Sequence, residues 1–163
     1  MPSDHVDRLL EQWKKERADL DCSPIGVVGR ISRCCRLMEL DLIKVFKNHN
    51  IDSIEFDILA SIRRSCGPMT PTELYRTLML SSGAMSTRLE KLVQKGFVTR
   101  TSSDSDRRSC VVSLTPEGKA LIDKAFTDHV ANEDRLLSPL SSDERQQLAS
   151  LLRRWLAENE KKQ

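Results

Sequence analysis

The sequence predicts a mainly α-helical protein with one small β-wing, arranged as a winged helix-turn-helix with helical regions at both ends. Three observations support this fold class. Apolar residues recur at helical spacing over most of the 163 residues. Two short helices follow one another closely, and a stop at Gly96 then leads into two β-branched segments. The loop that joins these segments, SSDSDRRS, is too polar to pack in a core.

Composition and charge limit the class of protein. Hydrophobic residues make up 39% and charged residues 31% of the chain, which suits one domain with a proper core. The first residues lack an apolar signal core and no run of 18 apolar residues occurs, so a cytoplasmic location is expected. The net charge is only +2, but residues 81–108 carry six basic and three acidic residues, a local +3 that suits phosphate contact.

The cysteine and histidine residues do not form a metal-binding pattern. The five cysteines are an odd number without a CxxC pair, which favours free thiols over a disulfide framework. The three histidines are scattered, so neither a structural metal nor a cofactor is expected.

The first two predicted helices precede the helix-turn-helix. Residues 4–18 carry apolar side chains at i, i+3, i+4 and i+7, ending at Trp13. After a break, Ser23 is expected to cap a helix that starts with Pro24 and runs to about Lys47. Its apolar seam, suited to packing against other helices and expected to place Cys35 in the core, consists of Val28, Ile31, Cys35, Met38, Leu42 and Val45.

The fourth and fifth predicted helices form the helix-turn-helix, and a third helix precedes them. The third helix runs from Ser53 to Arg64, and a capping box at residues 70–73 opens a short fourth helix. In the fifth helix, a serine at 81 or 82 can cap the start. Its apolar residues recur at steps of four and three and share one face: Met85, Leu89 and Leu92.

The remaining segments form a hairpin and two terminal helices. Residues 97–101 and 110–114 are expected to pair as the wing. The helices after Thr115 and Ser141 carry more apolar side chains along one face than the core of one domain needs. These helices and the N-terminal region are therefore assigned to dimerisation. The predicted regions are 1–52 for N-terminal helices and dimerisation, 53–114 for the winged helix-turn-helix, and 115–163 for dimerisation.

The outer face of the fifth helix has the chemistry of a DNA-reading surface. Its small and hydroxyl-bearing side chains allow close approach to the floor of a major groove. Lys91 can reach a phosphate or a guanine edge, and Thr72 can hold a phosphate through backbone N–H groups. The candidate residues outside the wing are Thr72, Ser82, Gly83, Ser86, Thr87 and Lys91.

The wing loop carries two arginines and two aspartates. Arg107 or Arg108 is the candidate for insertion into a neighbouring minor groove. Asp104 or Asp106 is expected to orient these arginines. The plainer alternative is that Asp106 and Arg108 only bridge across the ribbon.

Several motifs together resemble the MarR family of bacterial transcription regulators over roughly residues 25–157. They are TPTEL at 70–74, the segment ending in LVQKGFVTR at 92–100, DSDRR at 104–108 and LTPEG at 114–118. The resemblance implies a homodimer that binds double-stranded DNA at a pseudo-palindromic operator. It also implies that the protein is a repressor, which a small molecule or an oxidant releases from the operator.

Four further residues resemble the urate-responsive PecS-like branch of that family: Trp13, Asp57, Arg88 and Arg100. In that branch a tryptophan, an aspartate and two arginines line a ligand cleft. The resemblance implies an anionic or aromatic effector here, with residues 1–52 forming one wall of the cleft. A planar anion can stack on Trp13 and accept paired hydrogen bonds from an arginine. Its charge would loosen an expected Asp57–Arg88 link and tilt the fifth helix. The alternatives are a solvated Asp57, an Arg88 that contacts phosphate and a Trp13 in the core.

Three other interpretations of the sequence are a different switch, an enzyme and a protein-binding adaptor. Cys22 loosely resembles the sensor position of peroxide-responsive members, although Tyr75 is the only tyrosine that could support a thiolate. Oxidation of Cys22, or a phenolic ligand, is therefore the alternative switch. No nucleophile elbow or phosphate-cradling glycine motif occurs, so an enzyme is not expected. A protein-binding adaptor would expose apolar side chains on the outer face of residues 82–91, which is polar.

Overall fold

The computed structural model describes residues 3–102 and 110–161 of the chain. The elements are α1 (His5–Glu16), α2 (Ser23–Asn48), α3 (Ser53–Arg64), α4 (Pro71–Thr77), α5 (Ser82–Gln94), β1 (Val98–Ser102), β2 (Cys110–Leu114), α6 (Pro116–Leu136) and α7 (Ser142–Glu160). This order confirms the predicted fold class. By internal contacts the chain divides into two compact units, Met1–Lys44 and Val45–Gln163. The predicted three-part functional division is a different kind of boundary and stays a prediction.

In the first unit, α1 is fastened to α2 by one apolar and two ionic contacts. Asp4 caps α1 by accepting the N–H groups of Val6 at 2.7 Å and Asp7 at 2.9 Å. Val6 is 2% exposed, and its Cγ1 lies 3.5 Å from the position that a Cβ on Gly29 of α2 would occupy. Arg30 of α2 donates to Asp4 at 2.8 Å and to Asp7 at 2.6 Å. The N-terminal helix therefore has a defined place on the unit.

The start and the seam of α2 both differ from the sequence prediction. The helix begins at Ser23, one residue before the predicted Pro24, and Asp21 accepts the Ser23 N–H at 2.9 Å and the Ser23 hydroxyl at 3.0 Å. The predicted seam is exposed from Val28 to Met38 in the single chain, where Val28 is 66% exposed and Cys35 is exposed, whereas Leu42 and Val45 are partly buried. The prediction that Cys35 lies in the core is therefore wrong for one chain. Periodicity identified an apolar face but not what would cover it.

The second unit contains the helix-turn-helix and its core. Asp52 and Glu55 form the capping box of α3, and Thr70 and Glu73 form that of α4. Helix α3 packs against α6, and α4 packs against α5. The side chains at the centre of this core are 0–1% exposed: Ile58, Leu59, Leu74, Met85, Leu89, Leu92, Val98, Val112 and Ile122. The predicted inner face of α5 is therefore confirmed.

The hairpin is joined to the helix-turn-helix by backbone hydrogen bonds. Its strands are antiparallel, with Val98 opposite Leu114 and Ser102 opposite Cys110. The Met69 N–H donates to the Val112 carbonyl at 3.0 Å, and the Val112 N–H donates back at 2.8 Å. Because Met69 directly precedes the cap of α4, this bridge fixes the hairpin beside the helix-turn-helix. The first strand begins at Val98, one residue later than predicted.

The two C-terminal helices leave large apolar side chains in solvent. Helix α6 ends at Leu136, and the capping box of Ser141 and Glu144 opens α7 as predicted. All residues of α7, which the structure describes in full, are at least partly exposed. Its apolar stripe is 36–61% exposed and comprises Leu148, Leu151, Leu152, Trp155 and Leu156. Within the described ranges, no helix combines the length and apolar character that crossing a membrane requires.

Candidate nucleic-acid interface

Helix α5 presents its predicted polar face to solvent. The Ser81 hydroxyl accepts the Ala84 N–H at 3.3 Å and so caps the helix. The Thr87 hydroxyl donates to the Gly83 carbonyl at 3.2 Å, which leaves its oxygen available as an acceptor. The five predicted α5 contact residues are all exposed: Ser82, Gly83, Ser86, Thr87 and Lys91. An exposed helix with such a face has the dimensions and chemistry to enter a major groove.

The other predicted DNA contacts lie on α4 and on the wing. Thr72 is exposed at the second position of α4. The role of Thr72 in binding a DNA phosphate stays a prediction. Asp104, Asp106, Arg107 and Arg108 lie outside the residues that the structure describes. The strands on either side of these residues are described, with Ser102 opposite Cys110.

Arg88 has a different partner from the one expected. Its guanidinium donates to the carboxylate of Asp52, the residue that caps α3. The expected link between Arg88 and Asp57 is therefore replaced by a link to Asp52. Helical spacing correctly placed Arg88 sideways, away from the outer face of α5, but an arginine side chain can reach several carboxylates. Only the packing of α5 against α3 selects among them.

Asp57 lies on α3 near positive groups other than Arg88. Its side chain is exposed by surface area, yet neighbouring atoms remove enough water to raise the pKa of its carboxyl above the ordinary value. The charges of His129 and Arg64 act in the opposite direction and lower it. A carboxyl in this setting can respond to a nearby change in charge, which is compatible with the ligand hypothesis but does not test it.

The second arginine of the ligand hypothesis lies against α5. Arg100 of β1 is exposed, and its Nη2 donates to the carbonyl of Ser86 at 3.4 Å. Because Ser86 stands two residues before Arg88, both arginines belong to the surroundings of the same helix. Trp13, in the first unit, is 45% exposed on α1, so it is not a core residue of the single chain.

One ion pair in this region was missed by the sequence analysis. Lys95 donates to both carboxylate oxygens of Glu55, at 2.8 Å each, and to the carbonyl of Asn50 at 3.3 Å. The Glu55 side chain is only 4% exposed, so its charge lies almost entirely inside the protein. The capping box DSIE at residues 52–55 was visible in the sequence, but nothing local indicated that Lys95 would approach it.

These two ion pairs change the distribution of available positive charge that the local sequence predicted. Of the six basic residues between 81 and 108, Arg88 and Lys95 are paired with carboxylates of the same chain, Asp52 and Glu55. Lys91 is exposed on the outer face of α5. The positive charge available for phosphate contact on α5 is therefore concentrated at Lys91 rather than spread along the helix.

The candidate redox residue lies in the first unit. Cys22 directly precedes α2 and is partly exposed. Oxidation at this thiol stays a prediction.

Comparison with known proteins relates the whole chain to one group of regulators. A sequence profile described as the MarR family matches residues 49–109. The chain is 40% identical to the HTH-type transcriptional regulator PecS of Dickeya dadantii (strain 3937) over 151 residues, which are 91% of each protein. It is 32% identical over 108 residues to the multiple antibiotic resistance protein MarR of Salmonella typhimurium, covering 66% of this chain and 74% of that protein.

A solved structure shares this fold over nearly the full length. It is a mutant MarR from E. coli complexed with operator DNA, and it superposes with a TM-score of 0.69 at 26% identity. The match covers 94% of this chain and 99% of that one. The structural similarity therefore includes the terminal helices as well as the winged helix-turn-helix.

Proposed function

Because the chain belongs to the MarR family of transcriptional regulators, we propose that it represses transcription by binding operator DNA as a homodimer. We further propose that a small planar anion such as urate releases it. The observation that carries the DNA-binding proposal is the outer face of α5, which is small, polar and fully presented to solvent. The E. coli relative of the same fold is complexed with operator DNA, which supports the same use of this chain. The family consists of regulators, and the chain is not an enzyme.

The proposed docking places the start of α5 nearest the bases. The inner side chains Met85, Leu89 and Leu92 are held in the core, so the opposite side is the side free to meet DNA. Gly83 stands in the first turn of that side and has no atom within 4 Å of the position where a Cβ would lie. A missing side chain at this point allows close approach of the helix backbone to the groove floor.

Gly83→Ala is expected to strengthen the fold and weaken DNA binding at the same time. Alanine replaces a helical glycine in open space, which should raise the free energy of unfolding by up to about 1 kcal/mol. At a tight interface the added methyl group should reduce operator affinity by about 1–3 kcal/mol. Urea unfolding and a gel-shift titration against the protein's own upstream DNA, at fixed salt, measure the two effects.

Gly67→Ala is the matched control. Gly67 also has no atom within 4 Å of an added Cβ, but it lies in the turn after α3. Its replacement should leave operator affinity unchanged. If Gly83→Ala also binds the operator as tightly as the wild type, the start of α5 does not lie against the bases.

The proposed homodimer rests on the apolar side chains that one chain leaves uncovered. Trp155 is 61% exposed and Leu151 is 55% exposed, although both lie in the middle of a stripe along α7. A contiguous exposed stripe of this kind marks an interaction site. A second copy is the occupant we propose, because a single winged helix reads only one half-site and a pseudo-palindromic operator presents two.

The proposed effector would act through the arginines near α5. Two guanidinium groups, those of Arg88 and Arg100, can each offer paired N–H groups to a planar anion. An anion that binds Arg88 would compete with Asp52, which holds that guanidinium in the free chain. Displacement of Asp52 would alter how α5 is held. Asp57 and Trp13 complete the set of residues implied by the family resemblance.

Urate at millimolar concentration is expected to weaken operator binding by roughly 5–150-fold, the usual range of coupling between two sites. Because urate would bind the folded protein and not the unfolded chain, it should also raise the Tm of the protein without DNA. Arg100→Lys keeps the positive charge but removes the paired N–H groups, so it should reduce the response to urate. If urate causes neither release of the operator nor a change in Tm, urate is not the effector. The DNA-binding proposal would remain intact.

A further inference from the structure

The recognition helix α5 is held to the start of α3 at two charged points. Arg88 bonds to Asp52, the cap of α3, and Lys95 bonds to Glu55, three residues further along. Arg88 and Lys95 are seven residues apart, which places them on one side of α5 about 10 Å apart along its axis. The buried apolar face of α5 sets which side of the helix is inward, and two directional ion pairs at separate heights add restraints on its exact orientation.

The Lys95–Glu55 ion pair joins a buried carboxylate of α3 to the end of α5. The Glu55 side chain is 4% exposed and that of Lys95 is 38% exposed, so the carboxylate is enclosed while the ammonium covers it from the solvent side. Both carboxylate oxygens accept from Nζ at 2.8 Å, and one also accepts the Asp52 N–H at 3.1 Å. Removing one partner would leave the other charge without compensation.

The same ammonium also reaches the turn between α2 and α3. Nζ donates to the Asn50 carbonyl at 3.3 Å, and Asn50 has a φ of 56°, in the left-handed region. This conformation costs a residue other than glycine some backbone free energy. Lys95 therefore connects the end of α5, the buried carboxylate of α3 and the turn before α3 at a single atom.

We propose that Glu55 and Lys95 are a positioning pair that sets the orientation of α5 for sequence-specific DNA recognition, and that Lys95 is not a phosphate contact. This inference rests on the proposed DNA-binding function. The two residues cancel each other's charge, so the pair contributes little to the attraction of DNA in general. Its contribution is to hold the outer face of α5 at the angle at which base edges can be told apart.

Two single substitutions and their combination test the proposal. Glu55→Gln keeps a side chain that can complete a capping box, and Lys95→Gln removes the ammonium. The double variant has no unpaired charge at the site, so it remains a valid test if either single variant folds poorly. Operator and scrambled DNA of equal length are each titrated over a range of salt concentrations, using only preparations that melt cooperatively.

For a positioning pair, each variant should lose about tenfold in operator affinity and keep its affinity for scrambled DNA. The double variant should lose no more than either single one, because all three lack the same interaction. The slope of log affinity against log salt should stay unchanged. A Lys91→Gln variant provides the contrast, since loss of a phosphate contact should lower both affinities and reduce the slope by about 0.9.

Two outcomes would overturn the inference. If Lys95→Gln reduces the salt slope as Lys91→Gln does, while Glu55→Gln tightens binding, Lys95 is a phosphate contact. If the double variant discriminates the operator as well as the wild type does, the pair has no role in recognition. In both cases operator binding by the wild type would still stand, so failure of this inference is distinct from failure of the proposed function.

Discussion

Gly118→Ala is expected to destabilise the protein by about 3 kcal/mol. Gly118 is buried in the first turn of α6, where a Cβ would lie 1.9 Å from the Phe97 carbonyl oxygen and 2.8 Å from its carbon. These are backbone atoms, so no side-chain rotation can make room. The helix and the turn before β1 would have to separate.

The turn that Gly118 meets is itself held closely. The Phe97 carbonyl accepts the Thr115 N–H at 3.1 Å, and the Gly96 carbonyl accepts the Thr115 hydroxyl at 2.7 Å. Moving α6 away would stretch both bonds and disturb the start of the hairpin. Close-packed interiors do not absorb such a shift without loss.

Thermal or urea unfolding measures this effect. A fall in Tm of roughly 6–12 °C is expected for a domain of this size. Gly67→Ala is again the matched control, because its added methyl group meets no atom within 4 Å. Equal unfolding midpoints for Gly118→Ala and the wild type would show that α6 does not approach the turn this closely.

The double substitution Leu151→Ser, Trp155→Ser is expected to convert the proposed dimer into monomers and to reduce operator affinity by about 10²–10⁴-fold. Both side chains are more than half exposed in the single chain, so their loss should change the fold of one subunit little. What is lost is apolar area that a second copy would bury. Two linked readers bind two half-sites with an avidity that one reader lacks.

Arg153→Ser on the same helix is the control for the serine substitutions. Arg153 is exposed, but it is not part of the apolar stripe of α7. Light scattering gives the mass in solution, and a gel-shift titration gives the operator affinity. A wild-type protein with the mass of one subunit, or a double variant that stays dimeric and binds normally, would contradict the assignment of α7 to dimerisation.

Much of the DNA-binding lobe was predictable because its signals are local. The capping box at Thr70 and the left-handed Gly96 each act within a few residues, so they can be recognised before any packing is known. The same holds for the inner face of α5, where Met85, Leu89 and Leu92 were predicted from spacing and are buried. The wing strands were also found within one residue.

The contacts of the charged side chains were not predictable in this way. Arg88 was expected to pair with Asp57 but pairs with Asp52, and the Lys95–Glu55 pair was not expected at all. The partners in these two bonds are 36 and 40 residues apart in the chain. Long flexible side chains have several carboxylates within reach, and spacing along the chain does not choose between them.

The sequence by itself therefore determined the helices, the capping boxes of α4 and α7, the hairpin and which face of α5 is polar. These follow from steric and hydrogen-bonding preferences that operate over a turn or two of chain. Only the tertiary structure decided which carboxylates hold α5, and that Cys35 and the α7 stripe stay uncovered in one chain. Periodicity states that a face is apolar or charged, whereas its partner is set by how distant segments pack.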